Sequence, residues 1–327
     1  MTKDWNLTLV WNESLDVDRQ REIVARDYVY ASELGRGFYD RYWKMKGRVP
    51  TTPPNLRSRR KFQGGNLTEW IVLQILARAG VLKGSQEYIT YEDGLIRVTG
   101  RADFVAGGEI KLLSETDLQA LPESFADAAE SIVTQLQKKH PKGLREVNIE
   151  VKSCAGVMFD KYEQAPSTFH ALQAFHYAKN TNRPTMLVYV SRDDFRLCSF
   201  LILPDSEQWG KLYDEDLKGI AGFVELPEDE VKELKEPLLV YSSETGRFSK
   251  NWEVEYSGYL TDYGFDRPDL YADPAASVAR RLTNITKKIQ AGKAIDGKVN
   301  QKTLEECYAF YPEAEEIING LLEKETK

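Results

Sequence analysis

With 327 residues, 42% of them hydrophobic, the chain is long enough for one large domain or two moderate ones with a sizeable core. It has no apolar run of about 18 residues, so no membrane span is expected. Met1 to Asn12 carries Asp4, Trp5 and Trp11 in place of a basic stretch and an apolar core, so no signal peptide is expected either. Cys154, Cys198 and Cys307 are scattered singly, and there are three histidines. A disulfide framework or a zinc site is therefore not expected, and a reduced, cytoplasmic setting fits. A net charge of −7 argues against a surface coated in positive potential for duplex DNA, though it leaves room for a local basic groove.

In chain order, Asp16 or Asp18 caps a predicted helix running to about Met45, with a break near Gly35 and Gly37. Pro53 and Pro54 mark a loop, and the basic run Arg57, Arg59, Arg60 and Lys61 follows it as a candidate DNA or phosphate contact. Gly64-Gly65-Asn66 is expected to open the next helix, with Leu67, Trp70, Ile71, Ile75 and Leu76 on its apolar face and Gly80 as its stop. Glu92-Asp93-Gly94 is a hairpin signal between strands at Tyr88–Tyr91 and Leu95–Val98, the second continuing to Gly107-Gly108. A helix over 121–139, a strand from Glu146 to Lys152, a helix over 166–178 and strands at 185–190 and 196–203 follow. A second basic set, Arg280, Arg281, Lys287 and Lys288, lies on a late helix with the stripe Val278, Leu282, Ile285 and Ile289 and reads as a solvated face. The pattern is an α/β core ending near Pro204 with a C-terminal extension.

The strand Val147–Lys152 alternates, so Glu150 and Lys152 share one face about 7 Å apart. Acid-x-lysine tripeptides are common, but Asp103 stands in the apolar strand Ala102-Asp103-Phe104-Val105, where a carboxylate needs a partner. That partner is either the neighbouring Arg101 or a metal. Two acids brought together repel unless a divalent ion sits between them, and oxygen-only ligands suit Mg²⁺ or Mn²⁺.

The set Gly100-Arg101-Ala102-Asp103, Glu150-Val151-Lys152-Ser153 and Gln173-x-x-x-Tyr177 resembles the PD-(D/E)xK nuclease superfamily. More narrowly it is similar to the RecB-type exonucleases, which include CRISPR-adaptation and phage exonucleases, over roughly Tyr30 to Leu203. Ala31-Ser32-Glu33-Leu34-Gly35 and Gly65-Asn66-Leu67-Thr68-Glu69 resemble the family's first two helical motifs. The resemblance implies a restriction-endonuclease-like core, with a central mixed β-sheet flanked by helices, over 1–204. Residues 205–327 would form a helical or irregular extension packing on it. It implies that Asp103, Glu150 and the Val151 carbonyl hold the Mg²⁺ or Mn²⁺, with Glu69 completing the shell directly or through water. Lys152 would orient the attacking water or stabilise charge on the phosphate, and Gln173 and Tyr177 would brace the lysine or contact the DNA backbone. His170 and His176 read as packing or surface residues.

The implied activity is exonucleolytic processing of single- or double-stranded DNA ends in recombination, repair or phage DNA metabolism, with a recombination protein as a candidate partner. Two alternatives stay open: a structure-specific or restriction-like endonuclease, and a non-catalytic DNA-binding protein on a nuclease scaffold. The intact set of Asp103, Glu150 and Lys152 argues against the second. The chain departs from the family at Thr68, where many relatives carry a histidine. It also departs at Arg36, Gly37, Val254 and Ser257, where an iron–sulfur branch would place thiolates, so no iron–sulfur cluster is expected.

Overall fold

The hairpin signal at Glu92-Asp93-Gly94 folds as the sequence predicts, with Gly94 at a φ of 57° that favours glycine. The structure, a computed structural model, describes residues 7–16, 23–94 and 96–325. In chain order, α1 (Leu7–Asp16), β1 (Val29–Tyr30), α2 (Phe38–Met45) and α3 (Leu56–Arg78) precede the hairpin of β2 (Leu82–Asp93) and β3 (Ile96–Gly108). Then come α4 (Glu115–Gln119), α5 (Glu123–Lys139), β4 (Leu144–Cys154), α6 (Gly156–Tyr162) and α7 (Thr168–Thr181). β5 (Thr185–Ser191), β6 (Leu197–Ile202) and α8 (Glu207–Val224) follow. The last elements are β7 (Leu239–Ser242), β8 (Arg247–Lys250), α9 (Trp252–Glu255), α10 (Pro268–Gln290), α11 (Lys298–Phe310) and α12 (Ala314–Glu325). No described helix is long and apolar enough to cross a membrane.

Two units emerge. The first holds Met1–Arg36, Lys44–Arg48 and Pro54–Leu226; the second holds Gly37–Trp43, Val49–Pro53 and Pro227–Lys327. The first is a mixed α/β unit with a central mixed sheet flanked by helices, the expected class. Its strands run β1-β3-β4-β5-β6, with β2 also on β3. β2 pairs antiparallel along one edge of β3, from Leu82↔Ala106 to Asp93↔Ile96. The other edge is shared: β1 pairs parallel at Val29↔Val98 and Tyr30↔Thr99, and β4 pairs antiparallel from Phe104↔Ile149 to Gly108↔Leu144. Gly100 to Asp103 therefore lie between two partners, and neither ladder reaches them.

One sheet face buries Phe104, Ala106 and Ile149 against Ile75, Leu76 and Ala79 of the α3 end and Ala129 and Val133 of α5. On the other face α7 is almost wholly buried, and α8 covers it through Tyr213, whose ring lies 5.5 Å from that of Phe175. This packing carries the first unit through Leu226, beyond the expected boundary at 204. In the second unit the stripe Val278, Leu282, Ile285 and Ile289 is buried with Leu239, Phe248, Cys307 and Ile318. Arg281 pairs with Glu306 at 2.6 Å and Lys288 donates to Asn300, so two members of the late basic set join α10 to α11.

The N-terminal prediction needs correction. Instead of one helix to Met45, residues 29–30 form β1, a short helical turn spans Ala31–Glu33, and Gly35 turns the chain at a φ of 69°. The competing pull is pairing with β3; Asp18 lies outside the described residues. Gly64-Gly65 does not open α3 either. Asn55 caps it, its Oδ1 accepting from the Ser58 amide at 3.0 Å, and the glycines lie inside. A Cβ on Gly65 would meet Ser153 Oγ at 3.4 Å, so packing on β4 outweighs the low helix propensity of glycine.

His176, fully buried in α7, shows how firmly α8 is seated. Its Nε2 lies 3.4 Å from the Ile89 carbonyl, which can only accept, so Nδ1 is the acceptor for Tyr213 Oη at 2.8 Å. Burial lowers the pKa from 6.5 to about 4. The unfolded ring takes up a proton near pH 6.5 that the folded ring refuses until about pH 4. This side chain's contribution is therefore complete above pH 6.5 and is lost on acidification, by up to about 3 kcal/mol. His176→Gln removes that titration and leaves every other group in place. The Tm advantage of the parent over the variant should therefore shrink between about pH 7.5 and pH 4.5; a difference independent of pH would refute the assignment.

Candidate active site

The gap in the β3 edge is where the singled-out residues meet. Extending the Phe104↔Ile149 register by one step sets Asp103 opposite Glu150, just where the ladder ends. Side chains take over the unmade backbone bonds. Asp103 Oδ2 accepts from the Val151 amide at 2.7 Å, and Tyr177 Oη donates to the Arg101 carbonyl at 3.1 Å. Gly100 is required because a Cβ there would stand 2.8 Å from Tyr177 Oη and 2.7 Å from Ala31 Cβ. The gap opens into a cleft of about 640 Å³ whose walls include Glu69, Asp103, Glu150, Gln173 and Tyr177.

α7 supplies a polar row one turn apart, as its spacing predicts. Gln173 Nε2 donates to Glu150 Oε1 at 2.8 Å and lies 3.0 Å from Tyr177 Oη. One turn on, Thr181 Oγ1 accepts from Asn148 Nδ2 at 2.9 Å. Lys152 Nζ donates to the same Glu150 Oε1 at 2.6 Å, while Oε2 is buried with no hydrogen-bond partner. Burial raises the Glu150 pKa to about 8 against the opposing pull of Lys152, and neighbouring Asp103 and Glu69 raise it further. Asp103 is raised too, chiefly by burial, with Lys152 and the Val151 amide acting against it. Burial thus outweighs the short ion pair, and what these acids lack is positive charge.

Glu69 faces the same cleft from α3; burial and Asp103 raise its pKa. Its Oε1 accepts from Gln86 Nε2 at 3.0 Å, and the Gln86 side chain also acts to lower the Asp103 pKa. Gln86 was not legible in the sequence, yet its amide holds one of the three acids. It does so from a φ of 54°, a left-handed conformation rare for non-glycine residues. Among the described residues, no group of three or more His, Cys, Asp or Glu stands in a metal-holding arrangement.

Arg57, Arg59, Arg60 and Lys61 do not line the cleft. They occupy the first turns of α3, where Arg59 donates to the Leu15 carbonyl at 2.7 Å and Arg60 to Asn12 Oδ1, tying α3 to α1. Arg57 and Lys61 are exposed. His170 accepts or donates at Tyr189 Oη, 3.0 Å away, within the packing. In the second unit Val254 is buried, and Ser257 Oγ donates to Asp40.

No known protein family matches the chain, and no curated protein does. Among solved structures, the crystal structure of SSO0001 aligns with 65% of this chain and 85% of its own at 14% identity and a TM-score of 0.39. An alkaline exonuclease from Laribacter hongkongensis aligns with 68% of this chain and 95% of its own at 12% identity and a TM-score of 0.32.

The strain at Gln86 can be measured. Gln86→Ala loses the amide and keeps a side chain in the left-handed conformation, whereas Gln86→Gly loses both. The glycine variant should therefore be the more stable by about 1 kcal/mol, or about 2–4 °C in Tm. Equal melting of the two variants would show that the backbone is not strained there.

Proposed function

We propose that the protein is a metal-dependent DNA nuclease of the PD-(D/E)xK type, in the RecB-like branch, acting as an exonuclease on DNA ends in recombination, repair or phage DNA metabolism. One observation carries this reading: Asp103 and Glu150 meet beside Lys152 at the unpaired edge of β3, with Glu150 Oε2 buried and unpartnered.

The residues fit a hard divalent cation. The donors are all oxygen, one buried carboxylate oxygen lacks a partner, and both acids sit where burial disfavours their charge. Mg²⁺ typically uses one or two carboxylates together with waters and substrate phosphates, so a preformed cage of three acids is not needed. Asp103, Glu150 and the Val151 carbonyl would hold the Mg²⁺ or Mn²⁺, with Glu69 adding to the shell directly or through water. Such an ion supplies Lewis-acid stabilisation at the phosphoryl oxygens and acidifies water.

The chain's own groups do the rest. Lys152, held against Glu150, presents an ammonium to the phosphate and steadies the charge that builds there during attack. Gln173 fixes Glu150 Oε1 and is itself fixed by Tyr177, so α7 sets the aim of the carboxylate. Gln86 does the same for Glu69 from β2. Arg57, Arg60 and Lys61 are exposed on the first turns of α3 and would meet a flanking phosphate backbone, with Arg59 anchoring that segment through the Leu15 carbonyl.

End-labelled linear DNA should be degraded with Mg²⁺ or Mn²⁺, and chelation should stop it. Covalently closed circles should survive. Asp103→Ala and Lys152→Ala should each lose about 10²–10³-fold in rate while remaining folded. In titration calorimetry Asp103→Ala should lose Mn²⁺ binding and Lys152→Ala should keep it, separating a ligand from a phosphate-facing cation. Parental rates in both variants would sink the assignment, and equal cutting of circles would sink the exonuclease mode.

A further inference from the structure

Three aromatic rings line the same cleft and remain open to solvent: Tyr30 at 45% exposure, Trp70 at 52% and Tyr88 at 74%. Single exposed aromatics are ordinary, but three on one cleft beside the candidate acids are not accounted for by core packing. Each has a fixed place relative to that site. Trp70 follows Glu69 on α3. Tyr88 stands opposite Arg101 in the β2–β3 ladder, with the guanidinium 5.3 Å from its ring centre. Tyr30 ends β1 at the edge of the gap, with Arg26 4.5 Å over its ring and Tyr28 edge-on at 5.2 Å. Of these two guanidinium groups Arg101 lines the cleft, whereas Arg26 is held by Glu33 at 2.6 Å and steadies the Tyr30 ring.

We propose that Tyr30, Trp70 and Tyr88 form a stacking subsite for unpaired nucleobases, through which a single DNA strand reaches Asp103, Glu150 and Lys152. The inference rests on the nuclease reading for its substrate and adds the form that substrate takes. Every base has a π-face, so ring stacking holds a strand without regard to sequence. In a duplex those faces are covered by neighbouring pairs, and only base edges show in the grooves. A cleft of about 640 Å³ is on the scale of a small-ligand pocket and large enough for a nucleotide. Arg101, exposed on the cleft wall, supplies charge complementary to the phosphates between the stacked bases. The overall charge of −7 argues in the same direction, since a duplex-binding surface would need a broad positive field.

The test measures binding of the whole chain by fluorescence anisotropy, with Ca²⁺ in place of Mg²⁺ to hold off cleavage. Three labelled probes are compared: a thymidine strand of about 12 nucleotides, an abasic strand of equal length, and a blunt hairpin duplex. The parent should bind the thymidine strand most tightly. Trp70→Ala and Tyr88→Ala should each weaken that binding by about 10-fold or more, with little change on the abasic strand, and Trp70→Phe and Tyr88→Phe should largely restore it. Both positions are exposed, so Tm should stay within a degree or so of the parent. Tightest binding to the blunt duplex, or equal losses on thymidine and abasic strands, overturns the subsite. Should the rings govern thymidine binding while Mg²⁺ and Mn²⁺ elicit no cleavage, the subsite stands and the nuclease reading fails. Should cleavage occur with the alanine variants indistinguishable from the parent, the nuclease reading stands and the subsite fails.

Discussion

An interior strand that lacks a neighbour for four residues must place its polar groups elsewhere, and this constraint organises the first unit. β3 is paired along one edge by β2, but its other edge passes from β1 to β4 with Gly100 to Asp103 in between. A buried carbonyl or amide left without a partner costs about as much as a lost hydrogen bond. Tyr177 answers for Arg101, and Asp103 answers for Val151. The groups that repair the sheet are therefore the groups that build the cleft.

That repair sets a cost in charge. Glu150 is buried, its one ammonium partner contacts a single oxygen, and burial still favours the protonated acid. Ordinary folding would replace such a group with an apolar one, because a buried ion pair is often no more stable than a well-packed hydrophobic isostere. The cluster of Tyr271, Val278, Leu282 and Ile318 in the second unit is packed from apolar and aromatic side chains. Strain and unmet charge persist where the surrounding structure over-determines them, and in the first unit both gather at this cleft. Gln86, twisted at φ 54° to reach Glu69, belongs to the same pattern.

What the sequence made legible was whatever a local rule enforces. Alternation from Val147 to Lys152 set Glu150 and Lys152 on one face, and the spacing of four put Gln173 and Tyr177 on one side of α7, as the hydrogen bonds show. Gly94 announced its turn. The misreadings arose where tertiary contacts override local preference. Gly64-Gly65 reads as a helix start, yet α3 continues through it because that surface lies against β4. Val29-Tyr30 sits in a helical-looking stretch and becomes a strand because β3 offers an edge. α8 hides its buried stripe of Tyr213, Leu217, Ile220 and Phe223 among acids and three glycines. Gln86 gave no signal at all, since its segment Lys83-Gly84-Ser85-Gln86-Glu87 neither alternates nor carries a motif.

Charge ties these observations together. A chain at −7 that concentrates three carboxylates in one cleft repels phosphate at the place where phosphodiester chemistry would occur. Lys152 is already engaged by Glu150, so it cannot by itself reverse that field. Two contributions of different physical origin are then required before a polyanion can enter. One is a bound cation, which inverts the local potential and relieves the disfavoured charge of Asp103 and Glu150. The other is contact that does not depend on charge, and the exposed rings of Tyr30, Trp70 and Tyr88 are the groups lining the cleft that can supply it through the faces of unstacked bases. On the proposed reading the first contribution would act at the reacting phosphate and the second along the neighbouring bases, so the two would weaken independently when their own side chains are removed.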